Sequence, residues 1–323
     1  MAATNGCKGA SRIRETLFAF WQSRILLTAN NLRIFDHLER PVSARKLARI
    51  LSLDPRATEL LLDALVSMGI IRKKEKRFVN TPSASRYLVQ GGACYLGDII
   101  RHNDVLWQNW SCLDEVVKTG RPAKKAFEPE SFILGMHNLA TLKKDRLFKK
   151  LNLKRVRKVL DLGGGPGTYA MEFAKKGKEV YLFDRPETLK IARELIKKEG
   201  FHERINLIEG DFLADPIGTD YDLILMSQIL HSYGKRDILS LMGKARRALK
   251  PEGILAIHEF YLNNTHTGPV WGALFSINML VNTPEGRTYS TEELKKLLRQ
   301  RGFRIVSTDR LDETVLIQSR IRR

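Results

Sequence analysis

Asp161-Leu162-Gly163-Gly164-Gly165-Pro166-Gly167 follows an apolar run, Val156–Leu162, and opens a helical one, Gly167–Lys176. Glycines between a strand and a helix permit a tight turn and let a ligand lie against bare backbone. A dinucleotide fingerprint counted from Gly163 would need its last glycine where Thr168 stands, and no Gly-Lys-Ser/Thr follows for a nucleotide phosphate loop. With an acid two residues before the first glycine, the loop suits a ligand carrying a charged amino group and no pyrophosphate. A turn that is glycine-rich for steric reasons alone is the plainer alternative.

Outward from this stretch the chain reads as two texts. After Val156 strands and helices alternate: strand Glu179–Asp184, helix Pro186–Glu199, strands Arg204–Glu209 and Tyr221–Met226, a helix near Arg236–Leu249, and strand Gly253–Phe260. A helix over Thr291–Arg301 and strands near Phe303–Thr308 and Thr314–Ser319 close the chain. Such alternation predicts an α/β fold, a doubly wound, mainly parallel, seven-stranded Rossmann-like sheet, with one of the last two strands antiparallel because a short turn joins them. Before residue 150 the pattern is helical. Ile13–Leu38 carries apolar residues at helical spacing. Ser43–Leu51 and Asp54–Met68 are short helices, with Ser43 and Asp54 placed as N-caps and Gly69 as the terminator. Two short strands, Ile70–Arg72 and Arg77–Asn80, complete a winged-helix plan. Further helices fit Gly97–Thr119 and Ser131–Lys150. The boundary is expected near Leu151–Arg155, giving domains 1–150 and 151–323.

Of 323 residues, 43% are hydrophobic and 28% charged, which excludes a disordered or collagen-like chain. The net charge of +19 divides as +12 over residues 1–150 and +7 over 151–323. It could serve an anionic partner, but its short basic runs lack the interleaved aromatics that stack bases, and a solvated surface explains it equally. No apolar run approaches the roughly 18–20 residues of a membrane span. Met1–Ala10 is polar, and Cys7, Cys94 and Cys112 are too few and scattered for a disulfide framework or a zinc knuckle. A cytoplasmic protein is expected.

Two further acids close strands on the edge where the glycine loop lies. Asp184 ends the second strand and can accept hydrogen bonds from both hydroxyls of a ribose. Asp211, in Glu209-Gly210-Asp211-Phe212, ends the third and can accept from an adenine amino group, with Phe212 beside the base. Helix capping is the structural alternative, since Asp184 precedes Pro186.

The order Asp161–Gly167, Asp184, Asp211, with the closing strand hairpin, resembles class I S-adenosylmethionine-dependent methyltransferases. Phe183-Asp184-Arg185-Pro186 is similar to the F-D-x-P of the caffeate and hydroxyindole O-methyltransferase-like family, which also carries a winged-helix N-terminal domain that dimerises, so that the likeness covers nearly the whole chain. The resemblance implies S-adenosylmethionine as cofactor and S-adenosylhomocysteine as product. It implies cofactor contacts from Asp161, Gly163, Gly165, Gly167, Asp184, Asp211 and Phe212, and a homodimer formed through the N-terminal domain. Ser227 stands where the family carries a cofactor-binding lysine.

His231, in Ser227-Gln228-Ile229-Leu230-His231-Ser232-Tyr233, lies just after the fourth strand, on the ligand-binding edge of an open α/β sheet. A phenol has a pKa of roughly 10, so a positioned imidazole that takes its proton makes a strong nucleophile of a poor one. A carboxylate on the other ring nitrogen would fix the tautomer. The family's base occupies this position, commonly within His-Asp-Trp, and its glutamate 28 residues on matches Glu259. A second family glutamate precedes Arg-Thr in a later loop, where this chain reads Pro284-Glu285-Gly286-Arg287-Thr288 and is one residue shorter; Glu285 is the candidate. Trp271, Phe275, Met279 and Asn282 fall in the region that lines the acceptor pocket in the family, and Trp107, Trp110 and Met136 could add a wall; apolar residues at helical spacing are also plain core. His258, on the opposite strand face from Glu259, is read as structural. No metal constellation is evident.

The leading expectation is an O-methyltransferase for a small aromatic hydroxyl. Methyl transfer to carbon or nitrogen, for example on a tetrapyrrole or quinone-like acceptor, is the alternative. A cofactor-sensing DNA-binding regulator is a third, but Asp54–Met68, the would-be recognition helix, is mostly apolar and acidic with Arg56 as its single base. A helix in the major groove needs Arg, Lys, Asn or Gln facing the bases, so no nucleic acid is expected.

Overall fold

Val159 to Leu162 forms a strand buried on both faces, because helices cover the sheet on either side, as a parallel sheet requires. The computed structural model describes residues 2–123 and 126–322, with side chains from residue 9 onward. The Cys7 side chain therefore lies outside the described residues, while Cys94 and Cys112 are free thiols. The chain divides into two compact units, Met1–Asp104 and Val105–Arg323.

In the first unit, α1 (Ala2–Asn31) is followed by β1 (Val42–Ser43), α2 (Ala44–Leu51), α3 (Pro55–Ser67), β2 (Ile71–Lys74), β3 (Arg77–Asn80) and α4 (Pro82–Leu88). The expected caps form: the Ser43 side chain accepts from the Lys46 N–H, that of Asp54 from the Ala57 N–H, and Gly69 turns with φ 71°. The wing is a three-stranded antiparallel sheet in the order β1-β3-β2, and β1 was not foreseen because two residues carry no periodicity. Phe35, Leu38, Leu47, Leu62, Leu65, Ile71 and Phe78 fill its core. On α1, by contrast, Ile13, Leu17, Phe20 and Trp21 are 49–72% exposed. Helix α5 (Gly97–Trp110) crosses the division between units.

The second unit runs α6 (Leu113–Thr119), α7 (Pro129–Lys150), β4 (Lys158–Leu162), α8 (Thr168–Lys175), β5 (Glu179–Asp184), α9 (Pro186–Lys198), β6 (Ile205–Glu209) and β7 (Tyr221–Ser227). It continues with α10 (Lys235–Ala248), β8 (Leu249–Phe260), α11 (Val270–Asn282), α12 (Thr291–Gln300), β9 (Phe303–Leu311) and β10 (Thr314–Ile321). The sheet order is β6-β5-β4-β7-β8-β10-β9, parallel from β6 to β8, with β10 antiparallel to both its neighbours. The order reverses between β4 and β7, which opens a crevice at the carboxyl ends of those strands. Helix α7 belongs to this unit, because Leu147 at its end and the following Leu151 are buried with Val159, Tyr169 and Phe173. The division between units thus lies ahead of the boundary expected near Leu151. Among the described residues no helix is long and apolar enough to cross a membrane.

Candidate active site

The glycine turn sits at the mouth of the crevice. Gly163, Gly165 and Gly167 all adopt positive φ, at 67°, 54° and 75°. A Cβ on Gly163 would press within 2.9 Å of Ile229 and 3.2 Å of Phe212, whereas one on Gly165 would meet nothing within 4 Å. Bare backbone with open space beyond it can receive a ligand. The Gly165 N–H donates to Asp184 Oδ2 at 2.8 Å and the Arg185 N–H to Oδ1 at 2.8 Å, so the acid at the end of β5 holds the turn in shape. Burial pushes the Asp184 carboxyl up, and these N–H groups and Thr188 oppose the shift. Each oxygen keeps a lone pair for a further donor. Asp184 is no helix N-cap; Arg185 holds that position without a side-chain bond.

Asp211 follows β6. Its Oδ1 accepts from the Leu213 N–H at 2.8 Å and its Oδ2 lies 3.9 Å from Arg185, leaving the side chain 44% exposed. Phe212 is buried, edge-on to Tyr233 at 5.6 Å. Asp161 differs from expectation. It is completely buried, because its face of β4 is covered by α8, and Gly164 closes over it: a Cβ there would lie 2.6 Å from its carboxyl carbon. Both carboxylate oxygens lack a hydrogen-bond partner among the described residues. Burial lifts this carboxyl to about 7, the Ala170 amide offsetting part of the effect. Asp161 therefore acts on the crevice through its field and not as an exposed contact. An orphaned buried carboxylate beneath an open glycine turn, with two further acids along the same edge, fits a cationic amino group at one end of a ligand and a nucleoside at the other.

Next to the turn, His231 and Glu259 meet. Glu259 Oε2 accepts from His231 Nδ1 at 2.8 Å; Oε1 accepts from the Leu230 N–H at 2.8 Å, and the Phe260 N–H approaches Oε2 at 3.3 Å. Both side chains are buried. Burial pushes Glu259 up, but the His231 ring and these N–H groups outweigh it and hold the carboxyl below its ordinary range. An ionised Glu259 on Nδ1–H leaves the Nε2 lone pair of a neutral imidazole free. The ring lies 5.0 Å from Phe275, edge to face, and 5.7 Å from Phe260, which packs 4.1 Å from Phe275 and 6.4 Å from Trp271. An imidazole against an aromatic wall can seat a flat apolar ligand.

The remaining candidates separate. The Glu285 carboxylate stands at the start of α10, where a Cβ on Gly234 would be 1.9 Å from its Oε2. The Arg287 N–H bonds to the His231 carbonyl at 2.8 Å and Gly286 packs on the same carbonyl, which fixes this loop against the segment that leads into α10. Asn282 is tied into a lattice of amides, accepting from Asn109 at 2.9 Å and donating to the Asn278 carbonyl at 2.8 Å, while the Trp110 indole donates to Asn278 at 2.9 Å. Met279 is buried; Trp107 and Met136 are half-buried. Ser227 pairs with His258 Nδ1 at 2.9 Å. Sequence reasoning missed Phe260, whose adjacency to Glu259 at a strand end was the available signal. It also missed His137, whose Nδ1 lies 2.8 Å from Thr168 Oγ1 and fastens α7 to the start of α8. Among the described residues no group of three or more His, Cys, Asp or Glu gathers as metal ligands.

Known proteins share this architecture. The family model described as an O-methyltransferase domain matches residues 95–304, and that of the O-methyltransferase dimerisation domain matches residues 14–90. The chain is 31% identical to 3-hydroxy-5-methyl-1-naphthoate 3-O-methyltransferase of Streptomyces sahachiroi, over 90% of this chain and 88% of that one. It is 28% identical to acetylserotonin O-methyltransferase of Mus musculus, over 90% and 83% of the two. Human N-acetylserotonin methyltransferase in complex with S-adenosylmethionine superposes with a TM-score of 0.89 at 25% identity, covering 98% of each chain. PigF with S-adenosylhomocysteine gives 0.88 at 26% identity, over 96% and 99%. With both family models matched in order along the chain, and a doubly wound sheet that places a glycine turn and three acids on one edge, the chain belongs to the S-adenosylmethionine-dependent O-methyltransferase family.

Proposed function

We propose that this enzyme methylates a phenolic hydroxyl of a small aromatic acceptor, with His231 as general base. The observation that carries the reading is the buried His231–Glu259 pair, 2.8 Å apart, set against Phe260, Phe275 and Trp271. Gly163, Gly165 and Gly167 would take the cofactor against bare backbone, Asp184 its ribose, and Asp211 with Phe212 its adenine; Asp161 would supply a field for its ammonium. Bound there, S-adenosylmethionine supplies a methyl group activated on a positively charged sulfur. Glu259 holds the imidazole with Nε2 unprotonated. His231 Nε2 takes the phenolic proton, and the imidazolium so formed is stabilised by the adjacent carboxylate in a low-dielectric site. The aromatic wall orients the ring and excludes water, and positioning supplies much of the remaining rate.

The match to a dimerisation domain over residues 14–90 and the exposed Ile13, Leu17, Phe20 and Trp21 on α1 support a homodimer joined through that helix. The testing experiment is transfer of labelled methyl from S-adenosylmethionine to a panel of phenols, quinols and tetrapyrroles, with products located by mass and fragmentation. Label on a phenolic oxygen is expected; label on carbon or nitrogen would overturn the assignment of the acceptor atom.

A further inference from the structure

A row of polar groups crosses four strands beside the glycine turn. Asp161 on β4, Ser227 on β7 and His258 on β8 share one sheet face: Asp161 registers with Leu225, two residues before Ser227, and Ser227 registers with His258. Tyr169, in the first turn of α8, meets the His258 ring edge-on at 6.3 Å and turns its hydroxyl to Ser227. Thr314 on β10 ends the row, 2.9 Å from His258 Nε2.

The direction of each proton follows from that end. Thr314 Oγ1 donates its single proton to the Leu311 carbonyl at 3.0 Å, so toward His258 it can only accept, and Nε2 must carry the hydrogen. Burial holds His258 neutral, with its pKa down at about 4, so Nδ1 carries none and accepts from the Ser227 hydroxyl at 2.9 Å. Having given up its proton, Ser227 presents only lone pairs. One can take the Tyr169 hydroxyl; the other remains on a half-buried residue next to the glycine turn.

We propose that His258 is a positioning residue that locks Ser227 as a hydrogen-bond acceptor for the α-ammonium group of the cofactor. The inference rests on the cofactor placement proposed above. Along the carboxyl edge Asp184 and Asp211 mark the nucleoside end on β5 and β6, which leaves β4 and β7 for the amino-acid end. There the row offers Asp161, a carboxylate with no partner among the described residues, and a serine that can only accept. An ammonium brings N–H donors that the serine satisfies and a positive charge that the Asp161 field favours; a carboxylate would meet an acceptor and a like charge. With an aliphatic side chain at 258 the serine proton would be free to turn toward the ligand and oppose the ammonium.

The test is titration calorimetry with S-adenosylhomocysteine and with methylthioadenosine, which keeps the nucleoside and sulfur but lacks the amino-acid end. His258→Leu and Ser227→Ala should weaken S-adenosylhomocysteine roughly 10- to 100-fold, the usual effect of a lost hydrogen bond to a charged group, with methylthioadenosine affinity unchanged. His258→Gln, whose amide again offers one acceptor and one donor, should restore S-adenosylhomocysteine binding. Unchanged S-adenosylhomocysteine affinity in both disrupting variants would overturn the proposal, and so would parallel loss of both ligands in Ser227→Ala. If His258→Leu loses both ligands through misfolding, Ser227→Ala decides in the same assay. Failure of the wild-type enzyme to bind either ligand would instead remove the cofactor placement beneath it.

Discussion

Glu259→Gln replaces one oxygen by an amino group and tests what the buried carboxylate does. Glu259 accepts from two directions at once: Oε1 from the Leu230 N–H at 2.8 Å, and Oε2 from His231 Nδ1 at 2.8 Å. The His231 N–H also approaches Oε1, at 3.4 Å. A glutamine has one acceptor, and the backbone donors cannot move, so its oxygen settles on them. Its amino group then faces Nδ1, which must accept, and the imidazole proton shifts to Nε2. The lone pair that takes the acceptor's proton is gone. Loss of the correct tautomer and of a base in position costs about 10²- to 10⁴-fold in turnover. The assay is kcat with a phenol that the wild-type enzyme methylates, at saturating cofactor, alongside calorimetric cofactor affinity, which should stay within about threefold because the residue lies outside the proposed cofactor contacts. A Glu259→Gln enzyme that keeps kcat within about fivefold of wild type would show that the carboxylate does not set the imidazole tautomer, since a base without its orienting carboxylate should lose far more.

Asp161, held at about 7 by burial, is protonated below that pH in the free enzyme. A cationic ligand favours its charged form, so cofactor affinity should fall up to tenfold per unit as pH drops below about 7, and Asp161→Asn should flatten the profile measured by calorimetry. His258 has its folded pKa depressed to about 4, against about 6.5 in an unfolded chain. The unfolded state therefore binds the extra proton between those values, and stability should fall as pH drops from about 6.5 toward 4, by up to about 3 kcal/mol in urea unfolding. His258→Leu should remove that slope. Glu285→Gln should leave kcat within a few-fold, because its carboxylate packs at Gly234 while Glu259 holds the imidazole, and should cost about 0.3–1 kcal/mol of stability at the start of α10. A kcat loss approaching that of Glu259→Gln would return Glu285 to the catalytic group.

What could be read before any coordinates was local or evenly periodic. The glycine turn, the alternation that builds the parallel sheet, the caps at Ser43 and Asp54, and the acids ending β5 and β6 each depend on a few consecutive residues. His231 and Glu259 came from spacing and resemblance, and they meet because β7 and β8 are neighbours in the sheet. Whatever depended on packing between distant segments was hidden. The depth of Asp161 is decided by α8 and Gly164 closing over it; the place of the Glu285 loop by Gly286 resting on the His231 carbonyl; the use of Asn282 by amides on α5 and α11. The Ser227–His258–Thr314 chain needs the register of three strands, which no single stretch encodes. Helix α7 reads as a neighbour of the N-terminal helices, yet its buried end belongs to the sheet.

In the proposed mechanism His231 is the base that ionises a phenol. The direct measurement is kcat for His231→Asn, with a phenol that the wild-type enzyme methylates, at neutral and at raised pH, together with cofactor affinity. Asparagine keeps a similar volume and a polar amide but cannot take the proton. The expected result is a loss of about 10²- to 10⁴-fold at neutral pH, partial recovery as solvent hydroxide ionises the phenol, and cofactor affinity nearly intact. Turnover near wild type at neutral pH would contradict it, and would mean that the acceptor reacts without a base at this position.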